Sequence, residues 1–132
     1  MRLQAARIVQ GLTVSDPAGQ LYALRGWLGR VWRFRRDPHG VELVHRPERL
    51  LDQFSSWGYV LGDCDDAAVL GAALGKALGF TSRFVVLGFF GPRMPFSHVY
   101  TEVRGPRGWV DLDVTRPPGW QLPATRWKAV SV

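Results

Sequence analysis

The chain has 132 residues, 46% of them apolar and 21% charged, which is enough for one globular domain with its own core and short for two. No apolar run approaches the ~20 residues that cross a bilayer, the opening MRLQAARIVQGLTV lacks the apolar stretch of a signal peptide, and a single cysteine excludes an internal disulfide. The formal charge of +6 comes from fifteen arginines and two lysines against eleven acids; a cytoplasmic protein without a membrane role is expected.

Residues 1–14 read as an opening strand or arm. SDPAGQ then starts a helix, with Ser15 or Asp16 as cap and Pro17 at the first helical position. Leu21, Leu24, Leu28 and Val31 follow at helical spacing, so a helix is predicted from Pro17 to Arg35. Its end carries RVWRFRRD, a cluster from Arg30 to Arg36 interleaved with Trp32 and Phe34. Such a patch can hold phosphates, but no nucleic-acid-binding motif accompanies it. Arginines offsetting the negative pole of a helix, or facing an acidic protein neighbour, are the expected readings. RDPHG stops the helix, and a second one opens at Pro47 after a short extended piece.

The next helix begins at Asp63 or Cys64 and reaches Leu78. Apolar residues cover nearly all of its circumference, so it is predicted to be buried. Ala67, Ala68, Gly71 and Gly75 leave room for another layer to approach. Gly79 and Phe80 read as a left-handed glycine cap with a hydrophobic contact behind it. Asp63 can cap this helix, and Asp65 and Asp66 in its first turn suit the dipole.

From Ser82 the period changes to two. SRFVVLGFF has the two-sided apolar character of a central strand. SHVYTEVR, GPRG and GWVDLDVT then read as a hairpin in which Gly105 faces Gly108. That register puts His98, Tyr100 and Glu102 on one face, with Asp113 as the diagonal neighbour of His98. Asp111 faces Glu102 and is expected to be solvated, which favours Asp113 as the partner of His98. His39 and His45 have no evident partner. The C-terminal PPGWQLPATRWKAVSV reads as an arm, with Trp120 and Trp127 either packed over the sheet or docked on a neighbour. Helices followed by an antiparallel meander make an α+β domain.

Cys64 is the remaining chemical group. A thiol in the first turn of a helix feels the positive dipole end, which favours the thiolate. A nearby histidine can act as its base, and an aspartate can orient that histidine. Cys64, His98 and Asp113 are therefore the candidate catalytic residues. They are also feasible metal-ligand types, but no close ligand pair such as CxxC or HxxxH exists, so neither metal nor cofactor is expected.

GDCDDAAVLGAALGKALGF, FSHVYTEV and GWVDLDVT together resemble the transglutaminase-like superfamily of papain-fold thiol enzymes. The family pattern falls on Gly62 and Cys64, on His98, and on Trp109, Asp113 and Thr115. Family members commonly carry an aromatic soon after the cysteine, where this chain has Asp65 and Asp66. The GDCDD form, with HRPERLL ahead of it, is similar to small members encoded by bacteriophages and prophages. The resemblance implies a central cysteine-bearing helix packed on an antiparallel sheet, a core at about 47–116, a helical extension at 1–46 and an arm at 117–132. It also implies Cys64 as nucleophile, His98 as general base and acid, and Asp113 as its orienter, with Trp57, Asp63, Asp66 and Tyr100 as supporting candidates and Trp57 as a side-chain donor to an oxyanion. The implied partner is a protein or peptide substrate, or a virion assembly in which the fold is kept without turnover.

Overall fold

A computed structural model of the chain describes residues 7–8, 16–38, 44–88, 96–115 and 126–132. The predicted opening arm falls largely outside them, as do His39 and Trp120. Helix α1 runs Pro17–Val31. Asp16 caps it by accepting the Gly19 N–H at 2.8 Å, and Leu21, Leu24, Trp27, Leu28 and Val31 form its buried stripe. The helix ends four residues before the predicted Arg35. Continuing it would turn Arg35 onto the buried stripe after Val31. Instead Trp32 becomes extended (φ −75°, ψ 133°), and Trp32–Phe34 forms strand β1. The Arg33 guanidinium closes the helix end by donating to the carbonyls of Arg30 and Trp32 at 2.9 and 3.0 Å.

Helix α2, Pro47–Trp57, opens on its proline and ends at Gly58, whose φ of 79° suits a residue without Cβ. Strand β2, Val60–Gly62, pairs in parallel with β1, Trp32 opposite Val60 and Phe34 opposite Gly62. This two-stranded piece delivers the chain directly to helix α3, Cys64–Ala77. The end of α3 forms the expected glycine cap: Gly79 has φ 90°, its N–H bonds to the Lys76 carbonyl, and the Phe80 N–H reaches back to Gly75.

The main sheet contains β3 (Ser82–Gly88), β4 (Phe96–Gly105), β5 (Gly108–Asp111) and β6 (Arg126–Ser131) in the order β5-β4-β3-β6. The three pairings are all antiparallel. The hairpin register is the one read from the turn, Glu102 facing Asp111 and Gly105 facing Gly108. Part of the segment read as an arm is in fact β6, which pairs with β3 and makes β3 an interior strand. Trp127 on β6 remains 64% exposed.

Helix α3 lies on this sheet through its small residues. A Cβ at Gly75 would stand 2.9 Å from the Ser82 hydroxyl and 3.0 Å from Val103, and one at Gly71 would touch Thr101 at 3.5 Å. The close approach allows the Thr101 hydroxyl to donate to the Ala68 carbonyl at 2.5 Å, in a fully buried contact. Leu70 and Leu74 of α3 share one core with Leu21, Leu24 and Leu28 of α1, Leu50 and Leu51 of α2, and Val103 and Leu112 of the sheet. Among the described residues, no helix is long and apolar enough to cross a membrane.

Candidate active site

Cys64 is the first residue of α3, and the turn around it is fixed by acids on either side. Asp63 is the N-cap, its Oδ1 accepting the N–H groups of Asp65 and Asp66 at 3.1 and 3.4 Å. Asp66 returns the contact by accepting the Asp63 N–H through Oδ2, completing a capping box. Asp66 is fully buried. Its Oδ1 accepts the backbone N–H of His45 at 2.8 Å and faces His45 Nδ1 at 3.2 Å. His45, which has no partner legible from sequence, is therefore an anchor that ties the segment ahead of α2 to the start of the cysteine helix.

The acids around the cysteine turn are close to one another. Asp66 is held by His45. Asp37, Asp63 and Asp66 bring one carboxylate oxygen each to within 4.8 Å of one another. An all-oxygen set suits a hard cation, but Asp66 already spends both oxygens on N–H donors and Asp63 spends one on the helix cap. The crowding shows instead in the ionisation of Asp63. Burial pushes the Asp63 carboxyl up to about 6, and the Asp37 and Asp66 carboxylates add to the shift.

A folded-state value above the ordinary 3.8 means that the ionised form is disfavoured in the native protein. The resulting penalty is absent below pH 3.8 and complete above about pH 6. Asp63→Asn keeps a good cap and removes the charge. It is expected to match the wild type near pH 4 and to be more stable by about 0.5 kcal/mol at pH 7, the small size reflecting solvent screening. Urea unfolding at the two pH values measures the difference.

His98 lies on β4 opposite Leu87 of β3, and its ring meets Asp113 just beyond the end of β5. The His98 Nε2 to Asp113 Oδ2 distance is 2.6 Å, with only 1% of the Asp113 side chain exposed. The diagonal relation read from the register thus becomes direct contact, because the chain leaves the ladder after Asp111. Two Asx turns hold it there. Asp111 Oδ1 accepts the Asp113 N–H at 2.6 Å, and Asp113 Oδ1 accepts the N–H and hydroxyl of Thr115 at 2.9 and 2.7 Å.

Asp111, expected to be merely solvated, is therefore a support for Asp113. The charge of Glu102 opposite it is met by the Arg83 guanidinium at 2.9 Å, which itself lies 3.9 Å over the Trp109 ring. The spacing DxDxT was the available sign of both turns. Tyr100 stacks beside His98 at a centroid distance of 6.0 Å.

The electrostatics of the pair follow from its burial. Desolvation alone would lower the His98 pKa; hydrogen bonds to Asp113 and to Cys64, with their charges, overcome it and raise the value to about 9. Asp113 is opposed by its own burial but is brought below the usual carboxylate range by His98 and Thr115. The raised value favours the cationic histidine over the neutral range, and Cys64 is one of the groups that favour it.

His98 and Asp113 are in direct contact, Cys64 acts on His98 electrostatically, Asp63 and Asp66 shape the cysteine turn, and Tyr100 flanks the histidine. Trp57 is 55% exposed at the end of α2, packs on Tyr59 at 5.8 Å, and lines a pocket of about 210 Å³ with Gly62 and Asp66 beside the cysteine turn.

The family model described as the transglutaminase-like superfamily matches residues 5–114. Among solved structures, the chain is similar to a candidate cysteine protease from Cytophaga hutchinsonii, with a TM-score of 0.63 and 20% identity over 87% of this chain. The match spans 36% of that protein's length, and at this identity it speaks for the fold. No curated protein matches the chain.

Proposed function

Because the chain belongs to the transglutaminase-like superfamily, we propose that it is a thiol-dependent acyl-transfer enzyme acting on a protein or peptide through Cys64, His98 and Asp113. The observation that carries this reading is the 2.6 Å contact between His98 and buried Asp113 on the hairpin that faces the cysteine turn. An imidazolium beside a thiol at a helix start favours the thiolate, which is the reactive form.

The thiolate attacks a carboxamide or peptide carbonyl, forming a C–S bond and an oxyanion, for which the Cys64 backbone N–H is the nearest donor in the first turn. Collapse of this intermediate expels the amine, which takes a proton from His98, and leaves a thioester. His98 then accepts a proton from water, or from an acceptor amine, as that molecule attacks the thioester and frees Cys64. Asp113 keeps Nε2 protonated and leaves Nδ1 for the exchange. Hydrolysis is the default outcome, since water needs no binding site of its own. A phage or prophage setting rests on the resemblance of the GDCDD and HRPERLL segments.

The test is the pH dependence of Cys64 alkylation by iodoacetamide. Rapid labelling near pH 7 that slows by about tenfold or more in His98→Ala is expected from a histidine-coupled thiolate. Labelling with the profile of an ordinary thiol, unchanged by the substitution, would leave a structural module that keeps the fold without turnover.

A further inference from the structure

The face of α1 turned away from the core lines a cavity that contains neither Cys64 nor His98. It has a volume of about 510 Å³ and is lined by Tyr22, Arg25, Gly26, Gly29 and Arg30 of α1 and by Asp113 and Val114. This lies within the ~300–1,000 Å³ of ordinary ligand pockets. Two glycines one turn apart leave the helix surface bare. A Cβ at Gly29 would meet nothing within 4 Å, and one at Gly26 would meet only the Arg30 guanidinium. Tyr22, 81% exposed, forms one wall.

From these features we infer that the groove binds an acidic stretch of the substrate, glutamate or aspartate side chains lying close to the residue that is acylated. The inference rests on the acyl-transfer reading for its direction, since the groove reaches the Asp113 end of the catalytic group. Charge decides the occupant. Arg25 and Arg30 stand on the groove, whereas the one acid in it has its charge met by His98 at 2.6 Å and by the Thr115 donors. An acidic peptide lying in the groove would place its carboxylates on the Arg25 and Arg30 guanidinium groups. A nucleic acid would use the same arginines through phosphate, but the groove is sized for side chains and ends at a group that acts on carbonyls.

Direct binding tests this without relying on turnover. Fluorescein-labelled hexaglutamate, hexaglutamine and a hexathymidine oligonucleotide are titrated by anisotropy against the wild type, Arg25→Glu/Arg30→Glu and Gly29→Leu. Hexaglutamate is expected to bind more tightly than either other probe and to weaken with salt. Its binding should fall by about tenfold in the charge reversal and also in Gly29→Leu, which puts a side chain into the groove from a position whose Cβ meets nothing within 4 Å. Equal binding of hexaglutamate and hexaglutamine, insensitivity to both variants, or tighter binding of the oligonucleotide through Arg25 and Arg30 overturns the inference. Failure of the catalytic reading shows separately, as alkylation of Cys64 indifferent to His98→Ala.

Discussion

Between pH 6.5 and about 9 the unfolding free energy of the protein is expected to fall by on the order of 1–2 kcal/mol through one histidine, whose partial exposure screens the effect. The folded-state value of His98 lies above its ordinary 6.5, so the native state holds a proton that the unfolded chain releases first. Stabilisation is complete below pH 6.5, declines as pH rises, and is gone above about pH 9. The cause is specific: burial works against the charge, and the hydrogen bonds to Asp113 and Cys64 reverse it. Asp113→Asn keeps the shape and removes the charge partner. The difference between the two proteins in urea unfolding should therefore be largest at pH 6.5 and close as pH approaches 9, all other titrations cancelling. A difference that stays constant across this range would mean that His98 is not held as a cation in the fold.

A single methyl group at Gly62 is expected to cost about 2–4 kcal/mol. A Cβ there would stand 2.7 Å from both Cβ and Oδ2 of Asp66 and 3.0 Å from the Trp32 ring. None of these neighbours is a free end. Trp32 is buried in the core, and Asp66 is fully buried with hydrogen bonds to His45 and Asp63. Overpacking costs about 1–3 kcal/mol, and displacing Asp66 leaves buried N–H groups unmet at about 1–3 kcal/mol more. Because the affected bonds shape the turn carrying Cys64, Gly62→Ala should also slow alkylation of the thiol. Gly29→Ala is the matched control. It is helical, has nothing within 4 Å of the new carbon, and is expected to stabilise α1 by up to about 1 kcal/mol. Paired urea titrations distinguish the two glycines; a neutral Gly62→Ala would show that the cysteine turn tolerates rearrangement.

What could be read from the residues followed from local rules. The GPRG turn fixes the hairpin register, and that register places His98 and Asp113 on one face. The glycine cap at Gly79 and the small residues on α3 are visible for the same reason: each depends on neighbours in sequence. The DxDxT spacing could have revealed the turns that support Asp113, had Asp111 been read for its hydrogen bonds as well as its charge. Nonlocal pairings left no such mark. Three residues of β1 meet three of β2 in parallel, and the helix before them looked continuous because Val31 keeps the apolar period. Strand β6 carries exposed Trp127 and Val130 and lacks the pattern of a covered strand. The contact between His45 and Asp66 joins residues 21 positions apart, and neither residue's neighbours announce it.

The separation of the three catalytic candidates along the chain also bears on time. His98 and Asp113 are only fifteen positions apart and share one hairpin, a unit of the kind that forms in microseconds. Cys64 belongs to a helix that precedes the hairpin in sequence, and it joins them only when Gly71 and Gly75 of α3 settle against Thr101 and Val103 of β4. The folding chain can thus assemble the His98–Asp113 pair before Cys64 reaches it. An unfinished molecule would carry a thiol without its histidine neighbour, and their meeting would coincide with completion of the core.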